Sequence, residues 1–274
     1  LGLNCSYLFG NLDRTSTVIY NNSNDYNSRI QYRSSLSGWG FDLGLQIFKR
    51  FKTASNNKLF LNLGVNYSLS SDISTDNDFF AYTFKYNFSI QEFPKDTLAM
   101  ENENSNIVLP EKLEFGLSIG KVYKNKRRWD LGVQYSAIDW TKFKDNSKYS
   151  SQSDFPMSAF SRISFGYRLS PNLDWSNTNK SLLSKSTFSL GFHKTQSKIM
   201  VDESSLIQNG INFGVSIPLL SSRSLSRANF GIEFGKLGDL TINKIEENYF
   251  KFSIGFSLGP DTRYDRWFRK RKYD

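Results

Sequence analysis

Near its C-terminal end the chain contains segments that alternate strictly between large apolar residues and small or polar ones. Its clearest segment carries the apolar residues at even positions, namely Phe250, Phe252, Ile254, Phe256 and Leu258. Lys251, Ser253, Gly255 and Ser257 stand between them. Because successive side chains of a strand point to opposite faces, this pattern predicts a strand with one apolar and one small-or-polar face. The apolar face turns inward in a water-soluble protein, but outward to lipid in a membrane barrel.

The same alternation recurs along the chain around a short motif in which glycine takes the polar side. Copies begin at Asp42, Asn62, Glu114, Asp130, Ser164, Ser189, Asn212, Asn229 and Ser253. Each copy lies within an alternating run of about 9 to 12 residues. Strands of soluble proteins usually have about 5 to 6 residues, whereas a tilted membrane-crossing strand needs about 9 to 11. The length of the runs therefore favours the membrane.

These runs predict an all-β fold, a transmembrane antiparallel up-and-down β-barrel of about 12–14 strands. Strands are predicted at 39–51, 58–71, 78–90, 111–123, 128–140, 158–168, 186–197, 207–218, 227–237 and 248–258, with two or three more in 1–35. Counting alternate connections predicts periplasmic turns at 72–77, 124–127, 169–185 and 219–226. The outer loops are then 52–57, 91–110, 141–157, 198–206 and 238–247.

Composition agrees with a barrel and argues against a helical membrane protein. Only 38% of the 274 residues are hydrophobic and the mean hydropathy is −0.48, yet 16% are aromatic. No window approaches the roughly 18 to 20 consecutive apolar residues of a transmembrane helix. Many aromatic residues at low average hydropathy are typical of a barrel, in which half of each strand and every loop face water.

The polar face of each strand predicts the side chains that line the barrel interior. These are Asp42, Gln46, Asn62, Asn66, Glu114, Asp130, Gln134, Arg162, Arg168 and Glu233. Charges of both signs inside a barrel can form a pathway, or they can pair and fill the interior. The pattern alone leaves both possibilities open.

Aromatic residues at strand ends predict girdles at the level of the lipid headgroups. The main candidates are Trp39, Trp129, Trp140, Trp267 and Phe268, and Tyr249 shows the same placement. We expect residues 1–259 to form the barrel and 260–274 a basic periplasmic tail. The cluster from Arg266 to Lys272 suits anionic headgroups or a periplasmic partner better than nucleic acid. The expected partners are therefore outer-membrane lipid and other outer-membrane or periplasmic proteins, bound through the outer loops and the tail.

The sequence contains few groups that could carry bond chemistry. His193 is the only histidine and Cys5 the only cysteine, so an intrachain disulfide is impossible and a zinc site of the usual ligands is not expected. No phosphate loop or dinucleotide motif is present. A serine enzyme that uses His193 is a weak alternative, because no motif brings a nucleophile or carboxylate near it. We predict no catalytic residues, no metal and no cofactor.

Several stretches resemble the FadL-type family of outer-membrane transporters for hydrophobic compounds. They include "GWGFDLGLQIF" at 38–48, "LPEKLEFGLSIGK" at 109–121 and "WDLGVQYSAIDWTKF" at 129–143. The resemblance implies a fourteen-stranded barrel plugged by an N-terminal hatch, with ligands that enter from outside and leave laterally into the membrane. We expect the hatch and the first strands to be absent from this chain, and a basic tail follows the last predicted strand in place of the usual terminal aromatic residue.

The resemblance implies an outer-membrane barrel for passive uptake of small hydrophobic compounds. The alternative is a structural or accessory barrel subunit of a multiprotein outer-membrane complex for secretion or assembly. A protein that has no hatch would favour the accessory role, whereas a lipid or detergent bound in the interior would favour transport.

Overall fold

A computed structural model describes residues 1–21, 25–53, 57–86, 92–148, 156–173, 181–201, 204–219, 226–242 and 244–258. Nearly all of them lie in β-strands. The strands are Gly2–Val18 (β1), Asn27–Lys52 (β2), Lys58–Ser68 (β3), Ser71–Tyr86 (β4), Glu92–Leu109 (β5), Lys112–Val122 (β6), Arg128–Asp139 (β7), Lys144–Asp145 (β8), Ala159–Ser170 (β9), Thr187–Val201 (β10), Ser204–Pro218 (β11), Arg227–Asp239 (β12) and Ile245–Ser257 (β13). Two short helical turns, Trp140–Lys142 and Leu182–Lys185, complete the assigned elements.

The strands form one sheet of 13 strands in the order β13-β12-β11-β10-β9-β7-β6-β3-β2-β4-β5-β8, with β1 paired to β2. From β9 to β13 each strand pairs antiparallel with its neighbour in sequence. The number and order of the strands confirm the predicted fold class. The chain divides into two compact units. Unit 1 contains Leu1–Leu43, Tyr67–Lys112 and Ile138–Met157, and unit 2 contains Gly44–Asn66, Leu113–Ala137 and Ser158–Asp274.

Two predictions for residues 72–110 are wrong. The turn predicted at 72–77 lies within β4, and most of the predicted outer loop 91–110 is β5. The chain does not reverse at 72–77, because the Leu69 amide bonds the Phe41 carbonyl and Ile73 then pairs with Gly38. β3 and β4 therefore follow one another along β2 and run in the same direction. The sequence did not predict β5, because most of its residues are polar and it contains Pro94, so its local preference for a strand is weak. Pairing with β4 makes it a strand.

Because this reversal is missing, 52–57 and 124–127 do not lie on opposite sides of the barrel as predicted. The Lys124 amide donates to Asn57 Oδ1 at 3.1 Å, and the Leu173 amide donates to the Lys126 carbonyl at 2.8 Å. The connections after β2, β6 and β9 therefore lie at the same end of unit 2. The sequence had placed 52–57 outside and 124–127 on the periplasmic side. Because the chain reverses once fewer than predicted between 52–57 and 124–127, these two connections lie at the same end of unit 2.

The alternating rows remain exposed in the folded chain, as a lipid-facing surface requires. The five apolar residues that identify the β13 row are 57–84% exposed, and the row from Trp39 to Ile47 on β2 is exposed as well. β1 continues this surface with Leu3, exposed Cys5 and Tyr7, whose ring lies 5.0 Å from that of Trp39. In the described part of the chain, no helix has the length and apolar character needed to cross a membrane.

Candidate functional site

The small-or-polar face of β9–β13 brings five residues into one row across the sheet of unit 2. The register aligns Ser164 with His193, His193 with Gly210, Gly210 with Gly235, and Gly235 with Tyr249. This face lies opposite the exposed apolar rows of the same strands, so we call it the inward face. Two large side chains, those of His193 and Tyr249, flank two adjacent glycines.

His193 and Tyr249 occupy the space above these glycines. A Cβ atom on Gly235 would lie 2.2 Å from Cζ of Tyr249, and one on Gly210 would lie 2.4 Å from Cε1 of His193. Real Cβ atoms do not approach so closely, so the two ring positions require glycine below them. An aromatic ring over a strand glycine is a known device for fixing register in barrels. The inward surface is therefore filled here by packed side chains.

Polar groups around Tyr249 join three strands. Its hydroxyl donates to Glu233 Oε1 at 2.9 Å and accepts a hydrogen bond from Gln208 Nε2 at 2.8 Å. His193 is buried, and its Nε2 lies 3.9 Å from the same carboxylate oxygen. This group of Gln208, Glu233, Tyr249 and His193 is called the inner polar cluster.

The inner polar cluster does not have the hydrogen bonds of a serine hydrolase. Nδ1 of His193 is buried without a hydrogen-bond partner among the described residues, although Ser164 is its neighbour on β9. A nucleophile, a base and an orienting carboxylate must be hydrogen-bonded in series for that chemistry. The described residues also contain no group of three or more His, Cys, Asp or Glu side chains that could hold a metal.

Several predicted interior residues meet across neighbouring strands. Gln46 Nε2 donates to Asn62 Oδ1 at 2.8 Å, and Asn66 Nδ2 donates to Glu114 Oε2 at 3.4 Å. Two other interior carboxylates, Asp42 and Asp130, also accept side-chain hydrogen bonds. Asp42 accepts from Asn4, and Asp130 from the Arg128 guanidinium.

Gln134, Arg162 and Arg168 are exposed on the same face, and Glu233 belongs to the inner polar cluster. That these ten residues line a lumen remains a prediction.

Sequence reasoning missed Gln208 and the role of Tyr249. Tyr249 was expected in an interfacial girdle, but its hydroxyl bonds Glu233 and its ring covers Gly235 on the inward face. The only sequence signal was its odd position, which it shares with Lys251 and Ser253 rather than with the apolar row. A second missed contact places the Phe60 ring over Gly120 and the Arg128 guanidinium 4.9 Å from that ring.

The predicted girdle residues occupy different environments. Trp39 is exposed beside Tyr7. Trp129 is half-buried and donates from Nε1 to the Tyr123 hydroxyl at 3.4 Å. Trp140 begins a short helical turn and lies 5.9 Å from the Phe143 ring. Trp267 and Phe268, like the rest of the basic tail, lie outside the described residues. Their placement at the headgroup level remains a prediction.

Unit 1 contains a polar sheet that extends beyond the apolar rows. β2 has 26 residues, but its apolar row begins only at Trp39. The half from Asn27 to Gly38 extends beyond the start of this row. It pairs with β4, which in turn pairs with β5. We call these three segments, Asn27–Gly38, β4 and β5, the projecting sheet.

Hydrogen bonds between buried polar side chains hold the inward side of the projecting sheet together. Asn77 is 2% exposed and bonds Ser34 of β2, Thr75 of its own strand and Ser105 of β5. Thr75 and Ser105 also bond each other at 2.6 Å. Buried polar groups are stable only when they are paired, and these are.

An ion pair joins the two outer strands of the projecting sheet. Arg29 of β2 donates through two nitrogens to the Glu92 carboxylate of β5, each at 2.5 Å, and its guanidinium lies 4.7 Å from the ring of fully buried Phe84. The hydrogen bonds from Arg29 hold the pKa of Glu92 below its ordinary value.

Comparison with known proteins assigns the family. A family model described as BamG matches residues 1–274, the whole chain. The protein belongs to the BamG family. No curated protein matches it. A solved structure of the CymD monoaromatic hydrocarbon channel aligns with 94% of this chain and 80% of its own, at 11% sequence identity and a TM-score of 0.39. A similarity this low carries no functional argument.

The family assignment and the exposed apolar rows together give the class of this BamG-family chain. It is an outer-membrane β-barrel protein. The polar groups described above lie on two surfaces, the inward face of unit 2 and the projecting sheet of unit 1.

Proposed function

We propose that this protein is a structural or accessory barrel subunit of a multiprotein outer-membrane complex. The observation that carries the proposal is the projecting sheet, which continues β2 for about a dozen residues beyond the membrane-facing row. Ordering a residue costs about 1–2 kcal/mol of backbone entropy. A pore needs only short connections outside the membrane, whereas a docking subunit needs a fixed surface there.

The inner polar cluster supports the same proposal. Tyr249 and His193 fill the wall above two glycines, and the Tyr249 hydroxyl is satisfied by Glu233 and Gln208. Hydrogen bonds that join side chains of three neighbouring strands make this part of the wall rigid. Rigidity suits a subunit that holds partners in a fixed geometry.

Gentle purification tests this function. The protein would be extracted from native membranes in a mild detergent at its natural abundance, and its mass and composition measured by light scattering and quantitative mass spectrometry. We expect one or more partners at fixed stoichiometry through affinity and size-exclusion steps. An unrelated barrel of equal abundance from the same membranes is the control. Elution as a lone barrel would contradict the proposal.

Passive uptake of small hydrophobic compounds, as the FadL resemblance implies, is the second candidate. The exposed Gln134, Arg162 and Arg168 on the inward face favour it, because unfilled wall leaves room for a solute. Vesicles that contain the purified barrel separate the two functions. Entry of a small aromatic solute at the rate of protein-free vesicles supports the accessory role, and a saturable acceleration supports uptake.

A further inference from the structure

We propose that Lys49 and Lys121 bind the phosphate of an anionic phospholipid where the lipid-facing surface of unit 2 ends. Lys49 lies on β2 and Lys121 on β6, and both belong to unit 2. Only β3 separates these two strands in the sheet, so the gap between them is about 10 Å. Two flexible lysine stems can reach one phosphate across such a gap. We call these two residues the lysine pair.

Each residue of the lysine pair directly continues an exposed apolar row. On β2 the row from Trp39 to Ile47 is followed, at the next position of the same face, by Lys49. On β6 every second residue from Leu113 to Ile119 is apolar, and Lys121 takes the next position of that face. Because alternate residues of a strand share a face, both lysines lie on the outward, lipid-facing side.

The length of these rows places a membrane surface at the lysine pair. About ten residues lead from Trp39 to Lys49 on β2, and about ten lead from Glu111 to Lys121 along β6. With a rise of about 3.3 Å per residue and a tilt of about 40°, this length covers about 25 Å across the membrane. An outer-membrane barrel has an apolar band of about that height. On each strand the apolar row therefore crosses the membrane, and the lysine lies at the level of the headgroups.

The ammonium groups of the lysine pair turn away from the apolar rows. Nζ of Lys49 lies 5.3 Å from the ring centre of Phe51, and Nζ of Lys121 lies 4.8 Å from that of Tyr123. Each ring belongs to the residue two positions further along the same face, beyond the apolar row. Lysines at a lipid surface keep their stems on apolar groups and direct their charge to the headgroups in this way. Two separate strands thus show the same arrangement.

The lysine pair forms no ion pair with the described residues. Asp130, the acidic residue of neighbouring β7 at this end, accepts from the Arg128 guanidinium. The other end of the β6 row differs, because Lys142 Nζ donates there to Glu111 Oε1 at 2.5 Å. The lysine at that end is thus neutralised by the protein itself. The lysine pair instead offers two positive charges to an anion from outside the chain.

Short connections next to the lysine pair assign it to the periplasmic leaflet. The Thr53 amide donates to the Asn57 carbonyl at 3.0 Å, and the Tyr123 amide donates to the Arg127 carbonyl at 2.8 Å, so both turns close within a few residues. At its other end β2 continues for about a dozen residues before Trp39. Outer-membrane barrels have short periplasmic turns and longer structures outside. The anion is therefore a phospholipid headgroup of the inner leaflet rather than lipopolysaccharide.

Lipid competition tests the site. Native mass spectrometry of the purified barrel, in detergent with equal amounts of phosphatidylglycerol and phosphatidylcholine, gives the ratio of the two lipids bound. We expect about a tenfold preference for phosphatidylglycerol, because each lysine near a headgroup contributes to it. Lys49→Gln/Lys121→Gln should remove most of this preference, and Lys49→Arg/Lys121→Arg should keep it. Lys95→Gln/Lys251→Gln is the matched control, since it removes two exposed lysines that lie off the lipid-facing rows.

Heat-modified mobility on gels must show that every variant is folded. An unchanged lipid ratio in the folded double-glutamine variant would overturn the proposal. Lipid A is offered against phosphatidylglycerol in parallel, and a preference for lipid A that the double-glutamine variant loses would refute the inner-leaflet phospholipid. Copurification from native membranes covers the remaining occupant. A protein lost from the double-glutamine variant, at an unchanged lipid ratio, would assign the lysine pair to an acidic protein segment instead.

Discussion

At the scale of single residues, glycine positions determine where large inward side chains can lie. Gly235 and Gly210 are neighbours across β11 and β12, and the rings of Tyr249 and His193 lie over them. Gly255 on β13 has open space above it. Glycine thus makes room for an aromatic ring at position 235, whereas no side chain covers the glycine at position 255.

Gly235→Ala should therefore destabilise the barrel, because the new methyl group would collide with the Tyr249 ring. Overpacking of this kind costs about 1–3 kcal/mol. The free energy of unfolding in detergent micelles, measured by guanidinium titration, reports the change. Gly255→Ala is the control and should change it by less than about 0.5 kcal/mol. Equal effects of the two substitutions would show that the ring does not depend on Gly235.

Asn77→Ala should destabilise the projecting sheet, since the Asn77 amide connects Ser34, Thr75 and Ser105 in a buried site. Leaving buried polar groups unpaired costs about 1–3 kcal/mol. Limited proteolysis of β4 and β5 would measure the loss. Asn104→Ala removes an exposed amide of the same size on β5 and should have little effect. Similar cleavage rates for the two variants would contradict the role assigned to Asn77.

At the scale of elements, the sequence predicted strands where one face is apolar and failed where both faces are polar. The strands from β9 to β13 follow the alternation within a few residues, because lipid contact and wall contact require opposite chemistry at every step. β4 places Thr75 and Asn77 on its buried side, so its first half read as a turn. The inward residues of single strands were predictable, but the cluster around Tyr249 depends on register across four strands, which periodicity does not encode.

The Arg29–Glu92 pair should make the order of the projecting sheet depend on pH. Because Arg29 lowers the pKa of Glu92, the stabilisation is complete above the ordinary value of 4.5 and is lost as the pH falls through the lower folded value. Hydrogen exchange of β5, corrected for intrinsic rates, should accelerate over that window. In Glu92→Gln this step should disappear. A step of equal size in that variant would assign the effect to other carboxylates.

At the scale of the whole molecule, an apolar surface and a polar surface meet on one strand, β2. β2 presents an apolar row from Trp39 onwards and a polar face before it. The chain therefore combines a membrane wall with a surface available to water-soluble segments. This combination fits a subunit that anchors other proteins at the membrane.

Ile254→Lys should impair insertion, because it puts a charge on the exposed apolar row of β13. Lysine on the lipid face near the bilayer centre costs about 2–4 kcal/mol. Ser253→Lys introduces the same charge on the opposite face and should be tolerated better. The folded fraction in lipid vesicles, followed by gel mobility, distinguishes the two. Equal yields would mean that this row does not contact lipid.

Cys5 lies on the β1 row that includes Leu3 and Tyr7, and it is the only thiol in the chain. The native sequence therefore already contains a unique attachment point for a fluorophore on its apolar surface. Quenching of that label by brominated acyl chains would give the immersion depth of β1 without any substitution. A label that only aqueous iodide quenches would place this part of the row in water.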